Sequence, residues 1–165
     1  MSNNRVYYAF QQTGDQGWPN FIADLEEILT YPVRVTLVYG DADYICNWFG
    51  GQAISLAANH TDAERFRTAG YVPFVVDGKE LGETRQVGNF SFTRVYGAGH
   101  EVPYYQPAAA LQLFNRTLEG VDIPRGLKVA GKEFETHGEP VATHTQSSVA
   151  LPSATSSSSS SSSSS

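Results

Sequence analysis

The sequence predicts an α/β fold, a piece of a sheet with helices on its faces. Three observations predict it. Apolar periodicity changes along the chain in the order helix, strand, helix, hairpin, strand, helix. The strand at 33–39 carries apolar residues on both sides, as a strand covered on both faces does. The two strongest strands each run into a loop bearing a titratable group, and in open α/β sheets such groups gather at the carboxyl ends of strands.

Residues 20–30, NFIADLEEILT, read as a helix. Asn20 is a suitable N-cap, and Phe21, Ile22, Leu25, Ile28 and Leu29 share one face. YPVRVTLVYG follows as a strand opened by Pro32, in which Val33, Val35, Leu37 and Tyr39 alternate with Arg34, Thr36 and Val38. GDADYIC is a loop. NWFGGQAISLAANH reads as a helix, although Gly50 and Gly51 each weaken it by about 1 kcal/mol relative to alanine. YVPFVVDGKELGETRQVG reads as a hairpin turning at Asp77-Gly78. FSFTRVYG is a second strand and GAGHEVPYY a second loop. QPAAALQLFNRTLEG is a helix with Pro107 in its first turn, Leu111, Phe114 and Leu118 on one face, and Gly120 as its stop. From about Asp122 this periodicity fades. Residues 126–165 are expected as a disordered Ser/Thr-rich tail, clearest from 140 onward and open to O-glycosylation; residues 156–165 are all serine.

About 120–135 residues therefore remain for one ordinary domain. The net charge of -6 with no basic cluster argues against nucleic acid or an anionic membrane as partner. No run of apolar residues is long enough to span a bilayer, and no hydrophobic tail marks a glycolipid anchor. The N-terminus has no signal-peptide pattern. Three acceptor triplets for N-glycosylation nonetheless point to a secreted origin, at Asn59, Asn89 and Asn115. Together these lead to the expectation that an N-terminal part is absent. The single cysteine, Cys46, has no internal disulfide partner. His60, His100, His137 and His144 lack the clustered spacing of a metal site, so no metal and no cofactor is expected.

Asp43 follows the first strand and His100 the last. A carboxylate and then an imidazole in successive strand-end loops is the second half of a Ser…Asp…His order. The serine hydroxyl is a weak nucleophile at neutral pH. An imidazole takes its proton, and a carboxylate behind the ring fixes the tautomer. Gly97 and Gly99 let the loop turn sharply and present the ring. Spacing alone leaves both residues open to the ordinary reading of surface loop positions. It also leaves Asp41 as an alternative acid, or as an aspartate ordering its own turn.

The strings VYGDADYICNWFGG and FTRVYGAGHEVPYYQPAAAL resemble the two C-terminal signatures of serine carboxypeptidases, members of the α/β-hydrolase superfamily. AFQQTGDQ and DLEEIL also resemble fungal members. The resemblance runs from about Arg5 to Gly120. It implies that residues 1–125 are the C-terminal portion of an α/β-hydrolase domain: part of its sheet, flanked by helices and incomplete. It implies a Ser-Asp-His carboxypeptidase acting on peptide or protein C-termini at acidic pH, from a secreted or vacuolar parent. Asp43 takes the place of the triad acid and His100 that of the base. Cys46 takes a free-thiol position beside the substrate pocket, against the alternative of a buried unpaired cysteine. Asn47 supports the loop. Glu101 borders the pocket for the leaving residue, where it either favours basic ends by Coulomb attraction or is a solvated rim charge. Tyr104 and Tyr105 either line that pocket or pack at the helix start.

No serine sits in a G-x-S-x-G elbow: Ser55 lies in AISLA and Ser91 in NFSFT. In the family the nucleophile, the oxyanion hole and the cysteine-rich part lie upstream. The chain is thus expected to be a C-terminal fragment, inactive alone and with an exposed apolar strand edge at 33–39. Alternatives are a carboxypeptidase-like acyltransferase, a non-catalytic cell-surface module on a serine-rich stalk, and a general esterase. Oligomeric state is not legible in the sequence.

Overall fold

A computed structural model describes residues 3–13 and 21–142. Its centre is a mixed four-stranded open sheet in the order β1-β4-β3-β2, with six helices around it. β1 (Val35–Gly40) and β4 (Phe90–Val95) run parallel, pairing Val35 with Phe90 through Gly40 with Val95. β2 (Val72–Val76), β3 (Lys79–Val87) and β4 are antiparallel neighbours. The hairpin between β2 and β3 turns where expected. Asp77 and Gly78 both have positive φ, 49° and 76°, as a two-residue turn matching the strand twist requires.

Pleating sends alternate residues to opposite faces, and each face has its own core. On one face Phe90, Phe92 and Val87 pack under α3 (Trp48–Ala57) and α4 (Ala63–Thr68), against Trp48, Phe66 and Tyr71. On the other, Phe74, Val76 and Val95 pack under α5 (Val102–Tyr105) and α6 (Pro107–Glu119), against Val102, Ala109, Leu113 and Ile123. Coverage of both faces explains why β4 and the Gly82–Val87 part of β3 are buried, including Glu83, Arg85 and Arg94. Arg94 meets Glu83 at 3.4 Å and stacks over Trp48 at 4.0 Å, which pairs a charge that burial would otherwise make costly.

Three expectations need correction. The face of α6 formed by Leu111, Phe114 and Leu118 points outward, each residue more than half exposed; the inward face is Ala109, Leu113 and Arg116. Apolar residues run nearly all round this helix, so periodicity alone could not choose the face. Arg116 decides it, because its guanidinium donates to the carbonyls of Ile123, Pro124 and Val75. Second, residues 126–142 are part of the fold rather than of a tail. The Asp122 carboxylate accepts from the backbone N–H groups of Arg125, Gly126, Leu127 and Lys128. Short bridges then tie Glu135 to Val87 and Glu139 to Tyr71. The segment is held by backbone bonds, which leave no apolar period to read. The tail expectation for 143–165 and the N-cap at Asn20 lie outside the described residues. Third, three helices lie outside the sequence expectations: α1 (Asn4–Thr13), which buries none of its residues, the short α4, and α5, which forms inside the stretch read as a loop. α2 (Phe21–Ile28) lies where the sequence places it.

Candidate active site

β1 and β4 end in register, so their loops leave the sheet at the same height. The loops are laced together: Asp41 N–H donates to the Val95 carbonyl and Ala42 N–H to the Ala98 carbonyl, both at 2.9 Å. This close approach needs Gly40. A Cβ there would run into the carbonyl oxygens of Ala98 and Gly99. Gly97 turns the second loop with φ +65°, and its N–H donates to Asp41 Oδ1 at 2.9 Å. Asp41 thus helps to order the neighbouring loop.

Asp43 folds its loop around its carboxylate. Oδ1 accepts from the N–H groups of Ile45 and Cys46, each at 3.0 Å. Oδ2 is left to face His100 Nδ1 at 2.9 Å. The Asp43 side chain is 7% exposed and that of His100 63%. Burial alone would push the Asp43 carboxyl up. The His100 hydrogen bond, the two backbone N–H groups and the His100 charge outweigh it and hold the carboxyl below its ordinary value. In turn the Asp43 hydrogen bond, then its charge, raise the His100 pKa above the usual imidazole value; Glu101 adds in the same direction. A carboxylate that accepts from Nδ1–H leaves Nε2 as the free basic nitrogen, open to solvent.

The other candidate residues gather at the same place. Cys46 is exposed, and one donor atom each of Asp43, Cys46 and His100 lies within 4.8 Å of the others. Residues 43, 46 and 100 meet only in the fold, so their spacing along the chain does not reveal this proximity. Asn47 caps α3, its Oδ1 accepting from Gly50 N–H at 2.9 Å. Glu101 is exposed beside His100, at the start of α5. Tyr105 packs over Gly99, and Tyr104 is 81% exposed. A cleft of about 500 Å³ starts at His100 and runs between β1 and α6, lined by Thr36, Val38, Val102, Pro103, Leu113 and Phe114.

The hydroxyls of Ser55 and Ser91 are engaged elsewhere. Ser55 is buried and donates to the Gln52 carbonyl, and Ser91 is buried and donates to Thr36 Oγ1. The glycosylation candidates Asn59 and Asn89 are exposed, and Asn115 is half-buried on α6. Spacing and motif did not reveal Asp41's contact with the opposite loop or the close approach at Gly40. A glycine at the last position of a strand, directly before the acidic loop, was the available signal.

Residues 1–120 match the family model described as serine carboxypeptidase. The chain is 44% identical over 154 residues to "Carboxypeptidase S1 homolog A" of Arthroderma otae, covering 90% of this chain and 24% of that protein. It is 51% identical over 127 residues to "Carboxypeptidase S1 homolog B" of the same organism, covering 76% and 19%. It is 38% identical over 120 residues to a vacuolar serine-type carboxypeptidase of Saccharomyces cerevisiae, covering 72% and 23%. The chain spans about a fifth to a quarter of the length of these curated relatives. Among the described residues, no helix is long and apolar enough to cross a membrane.

Proposed function

Because the chain belongs to the serine carboxypeptidase family, we propose that it supplies the acid–base half of a hydrolase that removes C-terminal residues from peptides and proteins. The observation that carries this reading is the Asp43–His100 bond at the carboxyl ends of two parallel strands, with Nε2 left free. A serine hydroxyl attacks the last peptide carbonyl while Nε2 takes its proton, and the carbonyl opens to a tetrahedral oxyanion. Collapse breaks the C–N bond as His100 returns the proton to the leaving amine. Water, deprotonated by the same nitrogen, then cleaves the acyl ester. Asp43 holds the tautomer and balances the imidazolium. Cys46 stands in the pocket wall, and Glu101 faces the leaving residue.

No serine of these 165 residues stands in an elbow motif. The nucleophile, the oxyanion donors and the groups binding the terminal carboxylate are therefore supplied from outside them, and the 165-residue chain alone is inactive. Three features suit a surface covered in the larger protein: the open edge of β1, the outward apolar face of α6 and the cleft between them. The parent is secreted or vacuolar, carries glycans at Asn59, Asn89 and Asn115, and needs no nucleic acid, membrane span or cofactor. A non-catalytic module would have no use for a carboxylate–imidazole bond, which favours the enzyme reading over that alternative.

The test is a graft. Residues 1–142 replace the matching segment of a full-length fungal relative, and release of C-terminal residues from peptides is assayed. The reading expects activity that His100→Ala removes. A folded graft that keeps its activity with His100→Ala would reject it.

A further inference from the structure

We propose that Asp43, Cys46 and His100 form a binding site for a soft divalent cation, of the zinc, cadmium or cobalt class, that shuts down the acid–base pair while it is bound.

The three side chains offer a carboxylate oxygen, a thiolate sulfur and an imidazole nitrogen. One donor atom of each lies within 4.8 Å of the other two. A tetrahedral ion with bonds of about 2.0–2.3 Å holds its ligand atoms roughly 3.3–3.8 Å apart, so the site needs only small side-chain movement to close. Its ligand set is that of a three-residue zinc site with one position left for water. A thiolate and an imidazole select against magnesium and calcium, which take oxygen ligands.

The loop explains why the sulfur is there. Asp43 Oδ1 accepts the Cys46 N–H at 3.0 Å, which fixes the residue next to the carboxylate that pairs with His100. Access is open, since Cys46 is exposed and the His100 side chain is 63% exposed. Carboxylate and thiolate together balance the charge of a divalent ion with the imidazole neutral. The nearby Glu101 carboxylate adds to the negative field on the approaching cation.

Either ring nitrogen gives the same consequence. Through Nε2 the ion takes the lone pair that a nucleophile's proton needs. Through Nδ1 it displaces the proton donated to Asp43. No covalent or redox change is involved, and removing the ion restores the pair. Coordination needs only the three side chains; its effect on turnover rests on the reading of Asp43 and His100 as catalytic.

The test titrates cobalt(II) into the 165-residue chain under a non-coordinating reductant and records the absorption spectrum. The expected result is one ion per chain, with thiolate-to-cobalt charge transfer in the near ultraviolet and the visible bands of tetrahedral cobalt, both bleached by zinc. Cys46→Ser should lose the charge-transfer band. His100→Ala, at a side chain that is 63% exposed, should keep a band but bind at least tenfold more weakly. Asp43→Asn should also weaken binding. Absence of a charge-transfer band in the wild-type chain overturns the proposal. So does equal affinity in the wild type and His100→Ala, since that is a thiol acting alone. The readout requires no turnover, so a failure of the peptidase reading would leave the cobalt spectrum intact, and the two claims fail separately.

Discussion

His100 Nδ1 lies 2.9 Å from Asp43 Oδ2, across two loops separated by 57 positions in the chain. The bond works on both groups, raising the imidazole and lowering the carboxyl. The sign of each linkage sets a window. The histidine's contribution is complete below its ordinary value of 6.5 and is lost as pH rises through the raised one. The aspartate's is complete above its ordinary value of 3.8 and is lost as pH falls through the lowered one. The pair therefore supports the loops best at mildly acidic pH. NMR titration of the 165-residue chain should show the His100 ring titrating above 6.5, and Asp43→Asn should bring it down. A ring already at its ordinary value in the wild type would contradict the pairing.

That raised value sits uneasily with the proposed catalysis if it runs at acidic pH, where the base must be neutral. The physical resolution is coverage. A ring that is 63% exposed here loses water when the rest of an active site closes over it, and desolvation favours the neutral imidazole. The same titration in the grafted protein should place His100 lower than in the chain alone. An unchanged or higher value would remove this explanation.

Gly40 should tolerate no side chain. Gly40→Ala drives a methyl group into the carbonyls of Ala98 and Gly99, and overpacking of this kind costs about 1–3 kcal/mol. Urea denaturation should show the loss. The His100 imidazole signals should shift with it, because the displaced segment is the one that carries His100. A stable variant with unshifted signals would show that the loops are not held this closely.

Asp122→Ala removes an acceptor that serves four backbone N–H groups. A hydrogen bond to a charged group contributes about 1.5–3 kcal/mol net of exchange with water, and bonds that share one carboxylate do not add. The variant should lose on the order of 2–3 kcal/mol and become open to proteolysis between 126 and 142. Equal protease resistance would return that segment to the tail.

Glu101→Met should change leaving-residue preference in the grafted enzyme. One exposed carboxylate near a cationic end contributes about 1 kcal/mol, roughly fivefold. Relative kcat/KM for peptides ending in lysine or arginine, against apolar ends, should fall by that factor. An unchanged ratio would make Glu101 a solvated rim charge.

Much of the frame was legible because its signals are local. The Asp77-Gly78 hairpin, the Pro107 start and Gly120 stop of α6, and the alternation of β1 each lie within a few residues. The α/β class follows from their order. Other features depend on contacts far apart in sequence. Arg116 turning α6, Asp122 knotting the loop beyond it, and Gly40 admitting the His100 loop are of that kind. The buried Arg94–Glu83 pair reads as surface charge in sequence, because nothing local announces that both faces of β4 are covered. For the site, order and motif named Asp43 and His100. They could not show that Asp41 serves the opposite loop, or that a donor atom of Cys46 stands within 4.8 Å of both.

The central claim is that His100 is the base and Asp43 its partner in a carboxypeptidase. It is tested most directly by kcat/KM for release of a C-terminal residue by the grafted full-length protein, with and without His100→Ala. The account predicts a fall of roughly 10⁴–10⁶-fold, with the isolated 165-residue chain showing no release in either form. Retention of activity within tenfold by a folded His100→Ala graft, or release by the 165-residue chain alone, would contradict it.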